Sequence, residues 1–238
     1  MAWLGPRGAI APGARATVRW TALTASLCQV LRDTVLPSLV PTVEISGLTW
    51  RILRVLPQEI KAAPAAGSSV SSPSPPTTLA AAASWAGESS YESLAQAWLL
   101  DTRRPPARLN LLFASPTAFH SGGLSVPLPL PRLVFGSLLE RWNALAPLRL
   151  GDDILAFAER EVAISRHRLQ TEALPLSGGL HIGFTGRCTY VVPGIQRAPD
   201  RSEYAWRALH LLAAFAFYAG AGIKTTMGMG MARASSLP

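Results

Sequence analysis

Thiols are almost missing from this chain. Its two cysteines, Cys28 and Cys188, stand far apart and form no CxxC pair. That excludes a disulfide framework and a thiolate metal site, and both read as buried small hydrophobes in a reducing cytoplasm. Histidine is nearly as sparse. The four are scattered, with no HxH or HExxH spacing and no clustered carboxylates beside them, so no metal-site motif is present. No apolar run reaches the roughly 20 residues that span a bilayer. The longest, Ala208 to Ile223, contains His210 and two glycines and is flanked by Arg207 and Lys224; it reads as a buried helix. The opening Met1-Ala-Trp-Leu-Gly-Pro-Arg-Gly8 lacks the charged-then-apolar order of a signal peptide. A cytoplasmic location without a membrane partner is expected.

Lysine is the other scarcity. Of the 22 basic residues only Lys61 and Lys224 are lysines, and the rest are arginines. A GC-rich genome writes arginine for lysine too, but codon usage does not by itself produce the net charge of +8. A pI near 10.5 favours a polyanionic partner, and arginine suits bidentate phosphate contacts and stacking on bases. The hydrophobic fraction of 49% over 238 residues leaves enough to build one large core or two small ones.

A low-complexity stretch divides the chain. From Ala62 to Gly87 nearly every residue is Ala, Ser, Pro, Thr or Gly, a composition that cannot offset its ordering entropy by burial. The expected organisation is a partial N-terminal domain over residues 1–61, a linker and approach segment over 62–104, and a C-terminal domain over 105–238. In the first piece, Arg15 to Trp20 alternates like a strand. Thr24 is a fair N-cap for a helix carrying Leu27, Val30, Leu31 and Val35, which Pro37 stops. Val43 to Val55 suggests a kinked strand or hairpin broken at Gly47.

The second piece has a fuller plan. Leu109 to Phe113 reads as a strand and Ser115 to Pro131 as a Pro/Gly-rich loop. Leu133 to Ala144 reads as a helix with Val134, Leu138, Leu139 and Trp142 inward. Glu161–Leu169 and Leu180–Tyr190 read as paired strands, Ala205–Tyr218 as an apolar helix, and Thr226–Arg233 as a last strand. In the Leu180–Tyr190 strand, Ile182, Phe184, Cys188 and Tyr190 share one face, and His181, Thr185, Arg187 and Thr189 share the other. The order is βαββαβ, a ferredoxin-like (RRM-like) α+β unit whose sheet keeps one face open, an arrangement common in RNA recognition.

Chemistry concentrates in Ala219-Gly-Ala-Gly-Ile-Lys-Thr-Thr-Met-Gly-Met-Gly-Met231. Its glycines permit positive φ and close backbone approach. Gly220, Gly222, Gly228 and Gly230, with Lys224, Thr225 and Thr226, form a candidate cradle for phosphate oxygens. The alternative is a tight helix-to-strand turn. A Walker loop and a dinucleotide fingerprint are both excluded, because the glycines follow a helix and lead into a strand.

The segment resembles the C-terminal glycine-rich loop of the CRISPR-associated endoribonucleases that process precursor crRNA, members of the RAMP superfamily. Phe113-Ala-Ser-Pro-Thr-Ala-Phe119, Pro127-Leu-Pro-Leu-Pro131 through Trp142, and Gly183-Phe-Thr-Gly-Arg187 resemble further motifs of that family in the right order. The resemblance covers about Arg108 to Arg233 and, more weakly, Arg15 to Val55. It implies tandem ferredoxin-like domains, CRISPR repeat RNA as partner, and subunits of a CRISPR effector complex as further partners. It also implies a single cut by the ribose 2′-hydroxyl, leaving a cyclic phosphate, with no metal and no cofactor.

The family's catalytic histidine usually lies in the first domain, yet no histidine occurs here before His120. The residues ahead of the linker fit only the later part of that domain, and Leu4-Gly-Pro-Arg-Gly8 resembles an internal loop. The N-terminal domain is therefore expected to be incomplete, through truncation, a misassigned start or degeneration. His120, in a loop, is the candidate catalyst, against a plain solvated role. His167 and His181 are weaker candidates, and His210 reads as packed. Arg166, Arg168, Arg187 and Arg233 are the candidate RNA contacts beside the glycine segment, with Arg103 and Arg104 in the approach to the domain. Two readings stand: a metal-independent endoribonuclease, or a non-catalytic crRNA-binding protein. An unrelated RNA-binding domain of the same fold is the third.

Overall fold

Two short strands open the structure: β1 (Ala2–Leu4) pairs antiparallel with β2 (Thr17–Arg19), setting Trp3 opposite Val18. The computed structural model describes residues 2–4, 17–45, 48–52, 55, 85–176, 179–195 and 200–235. Residues 21–89 pack as one unit, and those up to 20 pack with 90–238 as another. Most of the Ala62–Gly87 stretch lies outside the described residues, as does the side chain of Trp3.

The unit of residues 21–89 begins with helix α1 (Ala25–Val30), which continues as a wider turn over Leu31–Val35. Thr24 caps it as expected, its hydroxyl accepting the Leu27 N–H at 3.3 Å. Leu27 and Val30 are exposed, and no residue of α1 is buried. Cys28 is half-buried, not buried, because the helix face that carries it has no covering layer among the described residues. The predicted hairpin is present as β3 (Thr42–Ile45) against β4 (Leu48–Arg51), with Ile45 opposite Leu48.

In the larger unit, the approach segment holds a helix that composition concealed: α2 (Tyr91–Leu99). Ser90 is its N-cap, accepting the Ser93 N–H at 3.0 Å, and Glu92 sits in the first turn where the helix dipole favours an acid. Then comes β5 (Arg108–Thr117), longer than predicted, with an irregular register between Phe113 and Thr117. The expected loop is in fact a hairpin, β6 (Phe119–Ser121) with β7 (Leu124–Val126). Gly122 and Gly123 form its tip at φ +57° and +78°, the pair of positive angles that a two-residue type I′ connection demands.

Helix α3 (Pro131–Leu145) buries Val134, Phe135, Leu138, Leu139 and Trp142. The short α4 (Asp153–Arg160) follows, then the long strands β8 (Ala163–Leu176) and β9 (Gly179–Val191). Helix α5 (Asp200–Ala219) leads through a tight turn at Thr225–Met227 to β10 (Ala232–Ala234). The last strand is shorter than predicted because Lys224 and Gly228 both take left-handed backbone angles, which a strand cannot continue through.

The sheet order is β10-β5-β9-β8, antiparallel throughout. With α3 after the first strand and α5 after the third, this is the ferredoxin-like arrangement. One face packs on the helices: Phe135 of α3 meets Tyr190 of β9 edge-on at 5.3 Å. Helix α5 is apolar nearly all round because α2, α3 and α4 cover what the sheet does not. The ring of Trp98 stacks on His210 at 4.9 Å, and Tyr91 meets Trp142 at 5.4 Å. No helix among the described residues is long and apolar enough to cross a membrane.

Candidate nucleic-acid interface

The face of the sheet away from the helices carries arginine in a row. Arg233 of β10 pairs with Leu112 of β5, Leu112 with Arg187 of β9, and Arg187 with Arg168 of β8. Directly opposed residues share a face, so Arg233, Arg187 and Arg168 project together across four strands. Adjacent strands lie about 4.8 Å apart, so Arg168 and Arg187 stand one strand spacing apart and Arg187 and Arg233, on either side of β5, two. The neighbouring row adds Arg166, opposite Thr189, itself opposite Asn110. Thr189 donates its hydroxyl to Asn110 at 2.7 Å. Among the described residues Arg166, Arg168 and Arg187 form no ion pair. Partial burial and the nearby Arg187 both push the Arg233 guanidinium below its ordinary pKa.

The glycine segment sits at the end of this sheet as a knot rather than an open cradle. The N–H groups of Gly220, Ala221, Ile223 and Gly230 donate to the carbonyls of Ala216, Gly230, Ala118 and Pro116, at 2.8 to 3.0 Å. Gly222 donates to Ser137 Oγ at 3.2 Å and Met231 to Ser115 Oγ at 2.9 Å. Gly228 and Met229 donate to Thr225 and Lys224. A donor engaged inside the chain is not offered to a phosphate, so these amides form no open row. The glycines serve close approach: a Cβ on Gly222 would lie 2.2 Å from the Ala118 carbonyl oxygen, and one on Gly230 2.0 Å from that of Ala221.

Lys224 sits at the tip with φ +53°, the one non-glycine residue of positive φ among the described residues. A left-handed conformation costs an L-residue about 1–2 kcal/mol, and such strain gathers where a side chain has a task. Thr225 is half-buried and Thr226 exposed in the turn that follows.

The carbonyls at this end of α5 are held by two arginines that composition did not single out. Arg141 of α3 donates to the Gly220 oxygen at 2.8 Å, to Ala219 at 3.4 Å, and to Gly222. Burial lowers its pKa. Arg19 of β2 donates to the Phe217 carbonyl at 2.5 Å and lies 4.4 Å over the Phe217 ring. Burial lowers the Arg19 pKa to about 10. Arg141 does have a sequence signal. It falls on the stripe of Val134, Leu138 and Leu145, where an apolar residue is expected.

The histidines separate. His120 is exposed on β6, opposite Ser125. Ala118, two residues before it, accepts the Ile223 N–H at 2.9 Å, so the hairpin bearing His120 is stitched to the residue before Lys224. His167 is exposed on β8 but opposite Cys188, on the other face from Arg166 and Arg168. His181 is near the start of β9, three residues before Phe184, which pairs with Thr117 at the end of β5, and its buried Nε2 has no hydrogen-bond partner. His210 is buried beside Trp98 and Trp206, Nε2 3.0 Å from the Pro106 carbonyl, and burial pulls its pKa to about 4. Cys188 is buried and its thiol is pushed up to about 11, which makes it inert. Arg103 ties Asp101 at 2.8 Å, and Arg104 is exposed.

The family model described as CRISPR-associated endoribonuclease Cas6 matches residues 111–232. The chain belongs to the Cas6 family. It is 32% identical over 137 residues to the CRISPR-associated endoribonuclease Cas6 of Mycobacterium tuberculosis, covering 56% of this chain and 41% of that protein. To the enzyme of the same name from Streptococcus thermophilus it is 30% identical over 123 residues, covering 51% and 48%. It thus spans less than half the length of these relatives. A solved Cas6 product complex superposes with a TM-score of 0.66 at 29% identity, over 90% of this chain and 74% of that one. Thermus thermophilus Cas6 gives 0.55 at 30% identity, over 64% and 60%. The fold class expected from sequence, tandem ferredoxin-like, agrees with these Cas6 structures. Within the family match fall Arg141, Arg166, Arg168, Arg187 and the whole glycine turn, and Arg233 lies one residue beyond it.

Proposed function

We propose that this Cas6-family chain binds CRISPR repeat RNA across the open face of its C-terminal sheet and the Lys224 turn, and cuts the precursor once, without a metal, in the cytoplasm. The observation that carries the binding is the row Arg168–Arg187–Arg233. Like charges directly opposed on a sheet are destabilising, and a phosphodiester backbone laid across the row relieves that repulsion. The RNA contacts under this reading are Arg166, Arg168, Arg187, Arg233, Lys224, Thr225 and Thr226. Gly220, Gly222, Gly228 and Gly230 shape the turn.

Lys224→Gly separates a task from a structural need. Glycine relieves the left-handed strain but gains about 0.5–1 kcal/mol of unfolded-state freedom, so the melting temperature is expected to stay level or rise slightly. Affinity for repeat RNA falls, and the slope of log K against log salt drops by about 0.7, one single-strand phosphate contact. A loss of melting temperature with unchanged affinity would overturn the assignment.

In the cut, the 2′-oxygen attacks the adjacent phosphorus while the bond to the 5′-oxygen breaks, giving a cyclic phosphate and a 5′-hydroxyl. One group takes the 2′ proton and another protonates the leaving oxygen; cations beside the phosphorane stabilise its charge. His120 is the histidine the fold tethers to the Lys224 turn, and it is the candidate for proton transfer. Incubation with labelled repeat RNA in EDTA is expected to give one cleavage product, lost in His120→Ala. Cleavage that survives His120→Ala removes this histidine from the mechanism. A second reading is binding without cutting, favoured by the burial of His210 and by the place of His167 on the face of β8 opposite to the arginines. Tight binding with no product in EDTA would select it.

A further inference from the structure

Arg141 is a half-buried cation whose hydrogen bonds, among the described residues, go to no carboxylate. They go to the carbonyls of Ala219, Gly220 and Gly222. A helix C-terminus exposes carbonyls carrying partial negative charge, and a planar guanidinium can fork across several at once. One helical turn earlier on α3, Ser137 Oγ accepts the Gly222 N–H and donates to Val134. On the other side, Arg19 closes the Phe217 carbonyl, and β1 touches the Thr225–Met227 turn. The backbone from 219 to 222 is therefore fixed before the chain reaches Ile223, whose N–H is held by Ala118. The next residue is Lys224, in its left-handed conformation.

Resting on the reading of Lys224 as a phosphate contact, we propose that Arg141 is a positioning residue that aims Lys224 and does not itself touch RNA. Its desolvation is offset by the loop carbonyls it collects. A lysine at 141 keeps the charge but, as a point donor, cannot hold three oxygens in one plane.

The experiment is a double-mutant cycle on the whole chain, read as affinity for a fluorescently labelled CRISPR repeat RNA. Lys224→Gly and Arg141→Met each weaken binding by about tenfold, the scale of one hydrogen bond to a charged group. The double variant is no weaker than the worse single one, because Arg141 acts through Lys224. Arg141→Lys behaves like Arg141→Met. Multiplying losses, or rescue by Arg141→Lys, would overturn the inference by showing direct or bulk-charge action. So would an unchanged affinity in Arg141→Met alongside a loss in Lys224→Gly. An unchanged affinity in Lys224→Gly overturns the contact itself, and this inference with it. Should Arg141→Met fail to fold, Ser137→Ala removes the Gly222 bond, together with the hydroxyl's own bond to the Val134 carbonyl within α3. It is expected to give a smaller loss that disappears in the Lys224→Gly background, and an additive loss counts against the proposal.

Discussion

Gly222→Ala is expected to destabilise the larger unit by about 2–6 kcal/mol and to abolish tight RNA binding. Two costs add. A non-glycine residue at φ +81° stores about 1–3 kcal/mol of backbone strain. A Cβ 2.2 Å from the Ala118 carbonyl oxygen forces β6 and the turn apart, at about 1–3 kcal/mol for such overpacking. The neighbour is backbone, so no side chain can swing aside. Gly123 supplies the control. Its φ is +78°, but a Cβ there meets nothing within 4 Å, so Gly123→Ala carries the strain alone. Denaturant unfolding of the two variants reads the difference directly. Equal costs would mean that the turn does not approach β6 as closely as described.

Replacing Arg168, Arg187 and Arg233 together with glutamine is expected to weaken RNA binding by about a thousandfold, about tenfold for each contact. The salt slope should fall by about 2, three single-strand phosphate contacts at about 0.7 each. Arg132→Gln is the matched control. That arginine belongs to α3 and pairs with Glu159 at 3.4 Å, so its loss leaves the slope unchanged. The triple variant also removes the like-charge opposition of Arg168 and Arg187, and the folded state should hold its melting temperature. A triple variant that binds with the parent slope would place the RNA elsewhere on the molecule.

How far these features could be read from sequence depends on how local their causes are. The inward stripe of α3 was legible, because burial repeats with the period of the helix, whereas in β9 the expected alternation is only partly met, since Ile182 is exposed and Thr189 buried. Val134, Leu138, Leu139 and Trp142 are buried, as are Phe184, Cys188 and Tyr190. Helix α2 was hidden by the Ala/Ser-rich composition before it, although Ser90 and Glu92 are ordinary start signals. The Gly122-Gly123 tip was legible as a turn but not as a hairpin, since β6 and β7 have three residues each. The amides of the glycine run could not be assigned from sequence at all. Four of their partners, Pro116, Ala118, Ser115 and Ser137, lie about a hundred positions away. The arginine row needed the register, because Arg168 and Arg187 are equivalent only once β8 and β9 are aligned.

Strand β8 has fourteen residues and is outermost in the sheet. An outer strand of that length is a template for a second chain, and proteins block such templates with charge or proline along the strand. Here Arg166, His167 and Arg168 lie in its first half and Pro175 near its end. The charges proposed to hold RNA are therefore also those that keep two copies of the sheet from joining edge to edge. Colloidal stability and RNA affinity draw on the same side chains. Polyanion that neutralises the arginines without covering the strand should promote self-association, so solubility should pass through a minimum as RNA is titrated in.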